Sequence, residues 1–261
     1  MSKTFSHNTS QLPKRFWRRW FCTIGLLIIV AGGGLVLKVG LFGKNYSITP
    51  DATKYPVRGV DLSAHNGDVD FNALRASGIS FVMLKASEGA THQDKRFVEN
   101  VRNARKAGLK VGAYHFFRFD VPGHMQALNF LNAVRGRQLD LPIAVDVETW
   151  RNSTNIDRKE VVESLTEMVD YLESRGYRVM LYTNKEGSVA YVSGSRLQEL
   201  PLWICSFTDP PVADTIQWQL WQHSHRGKVD GVIGAVDLNT FNGGRNAFER
   251  FTEDNAAVSV Q

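Results

Sequence analysis

Between residues 59 and 241 short apolar runs alternate with stretches of helical period, and that rhythm leaves the chain few folds to choose from. Strands are expected at Gly59–Ala64, Ile79–Ala86, Leu109–Phe116, Leu141–Glu148 and Tyr177–Thr183. Three more are expected at Leu202–Phe207, Ile216–Gln222 and Ala235–Phe241. Helices are expected at Phe71–Ser77, Lys95–Ala107, 123–135 and from Asp157 to Gly176. In the last, Val161, Val162, Leu165, Met168, Val169 and Leu172 recur at helical spacing, Asp157 and Glu160 form an N-terminal capping pair, and Gly176 is the stop. Little helix fits between the final strands. Near-continuous apolar strands separated by helices imply a parallel sheet covered on both faces. Eight of them in this length point to an α/β fold, a TIM-like βα barrel with reduced outer helices. An open doubly wound sheet is the alternative, but no glycine-rich nucleotide loop follows the first strand.

Charge separates the N-terminus from the rest. The net charge is +5, yet residues 1–56 carry eight Lys/Arg against one acid, and the remainder carries 23 against 25. The globular part is therefore slightly acidic, which excludes a basic nucleic-acid-binding surface as its main business. With 43% apolar and 22% charged residues the chain is not a disordered polymer. Two cysteines, Cys22 and Cys205, are too few for a disulfide framework or a four-cysteine zinc site.

Trp20–Leu37 is an uncharged run of 18 residues, enough as a helix to cross about 27 Å of hydrocarbon. Lys14, Arg15, Arg18 and Arg19 precede it, so residues 1–19 are expected in the cytoplasm and the remainder outside. The expected organisation is a basic segment (1–19), one transmembrane signal-anchor (20–37), a structureless polar linker (38–56), a barrel (57–250) and a tail (251–261). The alternative is secretion after signal cleavage near Ala31-Gly32-Gly33. Gly32, Gly33 and Gly34 weaken the span, so release from the bilayer when the membrane potential collapses, with Cys22 then meeting Cys205, is a further expectation.

In βα barrels chemistry sits at the C-terminal strand ends. Asp61 ends the first strand, Asp146 and Glu148 end the fourth, and Asp237 lies in the last. Residues two apart on a strand share a face, which puts Asp146 and Glu148 on one side with backbones roughly 6.6 Å apart. One acid at a strand end is ordinarily a loop cap or ion-pair partner. Several around one mouth repel, so at least one should keep its proton towards neutral pH. A protonated carboxyl beside ionised neighbours is what glycosidic cleavage requires. Tyr114, Trp203, Trp218 and Trp221 fall in or beside strands, and aromatic rings stack on the apolar faces of sugars, although a Trp in a barrel wall ordinarily packs. His115, His223 and His225 lack the spacing of a zinc hydrolase and are read as core or rim residues.

The sequence DLSAHNG (61–67), Gly78, FVMLKASEG (81–89) and Asp94 resembles the active-site signature of glycoside hydrolase family 25, the N-acetylmuramidase lysozymes. Further similar stretches are GAYHFF (112–117), DVE (146–148), PLWI (201–204), QLWQ (219–222) and VDLNTF (236–241). His92 departs from the Phe, Tyr or Leu that the family favours. The resemblance implies hydrolysis of the β-1,4 bond between N-acetylmuramic acid and N-acetylglucosamine in peptidoglycan, with no metal or cofactor. It implies Glu148 as general acid, Asp146 as the group orienting the substrate's acetamido arm, and Asp61 and Asp237 lining the same site. Tyr114, Trp221 and Trp203 are the expected sugar contacts and Glu88 a supporting acid. A substrate-assisted route is expected from the closeness of Asp146 and Glu148. The rival readings are a non-catalytic peptidoglycan-binding module, a chitinase-like glycosidase and a structural role in the wall.

Overall fold

A computed structural model describes residues 47–258, apart from 154 and 212–216. The described residues belong to one compact unit. The expected signal-anchor at 20–37 lies outside the described residues. Among those described, no helix is long and apolar enough to cross a membrane.

Nine strands form one sheet: β1 (Arg58–Leu62), β2 (Ile79–Glu88), β3 (His92–Gln93), β4 (Lys110–Phe116), β5 (Ile143–Asp146), β6 (Val179–Asn184), β7 (Leu202–Cys205), β8 (Trp218–Gly227) and β9 (Val236–Phe241). β3 is a two-residue edge ribbon antiparallel to β2. The other eight close into a barrel, because β1 pairs both with β2 and with β9. Pairings from β1 through β8 are parallel, but β9 runs antiparallel to both β8 and β1. The expected all-parallel sheet is thus corrected at its last strand. A parallel crossover needs roughly a dozen residues or more, and residues 228–235 between β8 and β9 are too few for one.

Helices α1 (Phe71–Ala76), α2 (Phe97–Lys106), α3 (Gly123–Val134) and α4 (Arg158–Ser174) cover the first half of the barrel. Asp157 caps α4 by accepting from Lys159 N at 2.7 Å. Gly108 and Gly176, just past α2 and α4, take φ values of 78° and 82°, a left-handed turn that glycine adopts without steric penalty. Between β6 and β7 only short turns occur, and no helix lies between β7 and β9 among the described residues. The barrel is therefore half-clad.

Two apolar layers result. One lies between strands and helices, with Val82, Leu84, Phe130, Val145, Leu165 and Leu181 all buried. The other fills the barrel, with Phe81, Met83, Leu141, Met180, Trp203 and Leu220. A final helix, α5 (Arg245–Val258), packs Phe248 and Phe251 onto Phe241, and Phe248 also meets Phe81. Residues 251–258, expected as a tail, are helical because this face has a hydrophobic seat.

The described part of the expected structureless linker, 47–56, needs the same kind of correction; 38–46 lies outside the described residues. Ile48 N donates to His223 O at 3.1 Å, and His223 Nδ1 lies 2.7 Å from Ile48 O. Ser47 bridges Ser224. Tyr55 is buried against Trp218 and Trp221, and Thr240 Oγ1 donates to the carbonyls of Tyr55 and Val57. Residues 47–56 are an outer strap on β8 and β9, where a helix would otherwise cover the aromatic wall.

Candidate active site

Period-two alternation sends Asp61, Lys85, Asp146 and Gln222 inward at the C-terminal ends of their strands, above the apolar plug. In β1 and β9, Asp61 and Asp237 stand directly opposite each other, so their carboxyls meet across the ladder. They share a hydrogen bond. Asp61 Oδ2 also accepts from Asn239 Nδ2 at 2.7 Å and Gln222 Nε2 at 2.9 Å. Those donors favour the ionised form of Asp61, which leaves the shared proton on Asp237. Burial, followed by the Asp61 charge, pushes the Asp237 carboxyl up to about 8. Burial also raises Asp61, against the donors that pull it down.

Behind this pair is a closed network. Tyr182 Oη donates to Gln222 Oε1 at 2.9 Å, and Trp203 Nε1 donates to Asn239 Oδ1 at 2.7 Å. Each amide is thereby fixed with its NH2 group towards Asp61. Trp203 stands edge-on to Tyr114 and Tyr182.

Glu148 lies two residues beyond the β5 terminus, Asp146, and is half-buried. Burial, and then the Asp61 charge, raises its carboxyl to about 7, partly offset by Lys85. Asp146 is buried, and its Oδ1 has no hydrogen-bond partner among the described residues. Burial and the neighbouring Glu148 charge lift it well above the usual carboxylate range. An unpartnered buried acceptor is costly, so this oxygen is set for a donor arriving from outside. The four acids expected from the sequence are thus brought to one mouth, each sensing at least one other.

Glu88 has a different environment. Burial pushes its carboxyl up, but the 2.7 Å bond to Lys85 Nζ, with Arg151 and Arg118 nearby, brings it below its ordinary value. It is ionised and already paired.

The aromatic expectations divide. Tyr114 sits at the mouth among Asp61, Asp146 and Asp237, and burial raises its hydroxyl well above the ordinary value. Trp203 and Trp221 are each 1% exposed, so neither presents a face to a sugar, and both expectations are corrected. Trp203 is barrel filling. Trp221 points outward, donates to Ser206 O at 2.8 Å and packs under Tyr55. Trp150, in the loop after Glu148, is 64% exposed and stands edge-on to Phe116. It was not anticipated, because nothing in a loop sequence shows that an aromatic ring will project into solvent.

Lys85 was also missed. A lysine inside the apolar run ISFVMLKA was the available signal, since an inward cation on a buried strand needs an anion. His115 is structural: buried, it bonds Ser87 Oγ at 2.8 Å and Gln126 Oε1 at 3.1 Å, and burial lowers it to about 4. Burial pushes the Cys205 thiol up to about 12, which keeps it protonated and a poor partner for thiol exchange. Cys22 lies outside the described residues.

Four clustered carboxyls whose proton affinities are all raised, at the open end of a half-clad barrel, can perform acid–base chemistry on a glycosidic bond. Comparisons with known proteins agree. The autolytic lysozyme of Clostridium acetobutylicum is 34% identical over 189 residues, covering 72% of this chain and 56% of that protein. Lysozyme M1 of Streptomyces globisporus is 31% identical, covering 72% and 68%. Among solved structures, a family 25 glycosyl hydrolase from Bacillus anthracis superposes with a TM-score of 0.72 at 33% identity, covering 80% of this chain and 99% of that one. A bacterial lysozyme from Streptomyces coelicolor gives 0.69 at 28% identity, covering 76% and 98%. Residues 60–232 match the Glycosyl hydrolases family 25 pattern, and with that extent of sequence and fold in common the chain belongs to this family.

Proposed function

We propose that this chain is a muramidase that hydrolyses the β-1,4 bond between N-acetylmuramic acid and N-acetylglucosamine in peptidoglycan. The observation that carries the reading is the Asp146–Glu148 pair: one carboxyl raised to about 7, and two residues before it a buried oxygen awaiting a donor. Glu148, protonated, gives its proton to the glycosidic oxygen as the C1–O bond breaks. Positive charge develops at C1 and is met by the carbonyl oxygen of the sugar's own acetamido group, whose N–H donates to Asp146. Water then attacks C1 while the Glu148 carboxylate takes its proton, which restores the starting state. Ionised Asp61, fixed by Gln222 and Asn239, supports the cationic stage through space. Tyr114 borders the sugar.

Glu148→Gln should lower kcat on purified peptidoglycan by about 100-fold or more, the usual scale of general acid catalysis, with affinity for glycan strands retained. Release of reducing ends measures it, and a rate like the parent's would remove Glu148 from the acid's role. Mass analysis of the products distinguishes a new reducing-end muramic acid from the products of a chitinase-like enzyme.

We also propose that residues 20–37 anchor the chain in the cytoplasmic membrane, with 1–19 inside and the barrel on the wall side. The support is the uncharged run and its basic flank. Carbonate-washed membranes should retain the full chain, and its recovery in the soluble fraction, shortened near Ala31, would favour secretion by cleavage instead. Loss of the intact chain from membranes only after the potential is collapsed would support release.

A further inference from the structure

Beside the acids, on the flank formed by the ends of β1 and β2 and the loop after β5, is a cavity of about 490 Å³. His65, Lys85, Glu88, His92, Lys95 and Arg151 line it. Its acids are already satisfied. Glu88 is bonded to Lys85, and Asp94, also in the wall, accepts from Ala64 N at 2.8 Å and Arg96 N at 2.9 Å. Two of its cations have no ion pair: among the described residues neither Lys95 nor Arg151 has a carboxylate within ion-pair distance, although the Arg151 charge acts on Glu88 through space, and both are exposed.

The loop carrying Arg151 is held in a costly shape. Arg151 has φ 59°, the sole non-glycine residue with positive φ among those described, in a region unfavourable for a long side chain. Arg118 Nη1 donates to Arg151 O at 2.6 Å, and Asn152 Nδ2 donates to Glu148 O and Phe117 O at 2.9 Å. The guanidinium of Arg151 lies over the Trp150 ring, 5.4 Å from its centroid. The turn directly after Glu148 is thus tied down so that a cation faces this cavity.

We infer that this cavity binds the carboxylate-bearing peptide stem of the muramoyl residue, which makes the enzyme selective for peptide-substituted glycan. This rests on the muramidase reading above. The sugars of the strand are uncharged, and its anions are the carboxylates of the stem or, where the stem has been removed, the lactyl carboxylate. A single carboxylate would leave most of the volume empty, whereas a short peptide is of the size that such cavities enclose. His92 adds a polar wall on the same side.

The test compares soluble glycan strands carrying peptide stems with the same strands stripped by an amidase. Lys95→Glu and Arg151→Gln should each reduce the ratio of kcat/KM for peptide-bearing over stripped strands on the order of fivefold, through KM, as expected for one charged contact. An unchanged ratio would overturn the inference. A loss confined to stripped strands would assign the cavity to the lactyl carboxylate and also overturn it. Affinity of Glu148→Gln protein for both strands, measured by calorimetry, separates the two readings. A preference for stems that Lys95→Glu abolishes supports the cavity even if the parent protein cuts neither strand, and equal affinity for both strands refutes the cavity alone.

Discussion

Near the barrel axis, a few atoms decide which carboxyl holds a proton. Glu148 titrates near 7, so the fraction able to act as general acid falls as pH rises through that value, and kcat should decline above it. Asp237 supplies a second test. The unfolded chain releases its proton near 3.8 and the folded protein only near 8. Folding therefore takes up a proton between those values, and stability is lost progressively as pH rises across that window. Asp237→Asn keeps a donor towards Asp61 and removes this penalty, so its gain in Tm should be greater at pH 8 than at pH 4, as scanning calorimetry at both would show. These acids were legible in the sequence because a carboxylate at the end of an apolar strand violates its surroundings. The aromatics were not. Leu220, Trp221 and Gln222 alternate between two apolar faces, and a strand buried on both sides does not say which face is the barrel interior.

Strands and helices were legible wherever one period dominated. The eight barrel strands and four covering helices appear near their expected places, since branched runs and helical spacing are local signals. The direction of β9 was decided by the length of the connection before it. The close approach of α3 to α4 depends on Gly123, where a methyl group would press into the backbone of Ser164 and Met168. Gly123→Ala should consequently cost about 1–3 kcal/mol despite its better helix propensity, read as a lower midpoint in urea. A midpoint equal to or above the parent's would mean that the two helices can separate freely.

For the whole molecule the question is what closes a barrel that lacks half its helices. Residues 47–56 strap the aromatic wall of β8 and β9, and α5 seats Phe248 and Phe251 against the interior plug. A fragment spanning 47–261 should melt several degrees above one spanning 57–261, because the shorter one exposes Trp218 and Trp221; about 1 kcal/mol corresponds to roughly 2–4 °C at this size. Equal melting temperatures would make the strap dispensable. By itself the sequence determined the alternation of strand and helix, the strand-end acids and the family, because each is written in local spacing or in residue types that stand out from their neighbours. Only the tertiary structure decided which carboxyl keeps a proton, which tryptophans are filling, and that a cationic cavity lies beside the acids. Those properties arise from desolvation and from charges brought together from β1, β2, β5 and β9, and such distances do not exist along the chain.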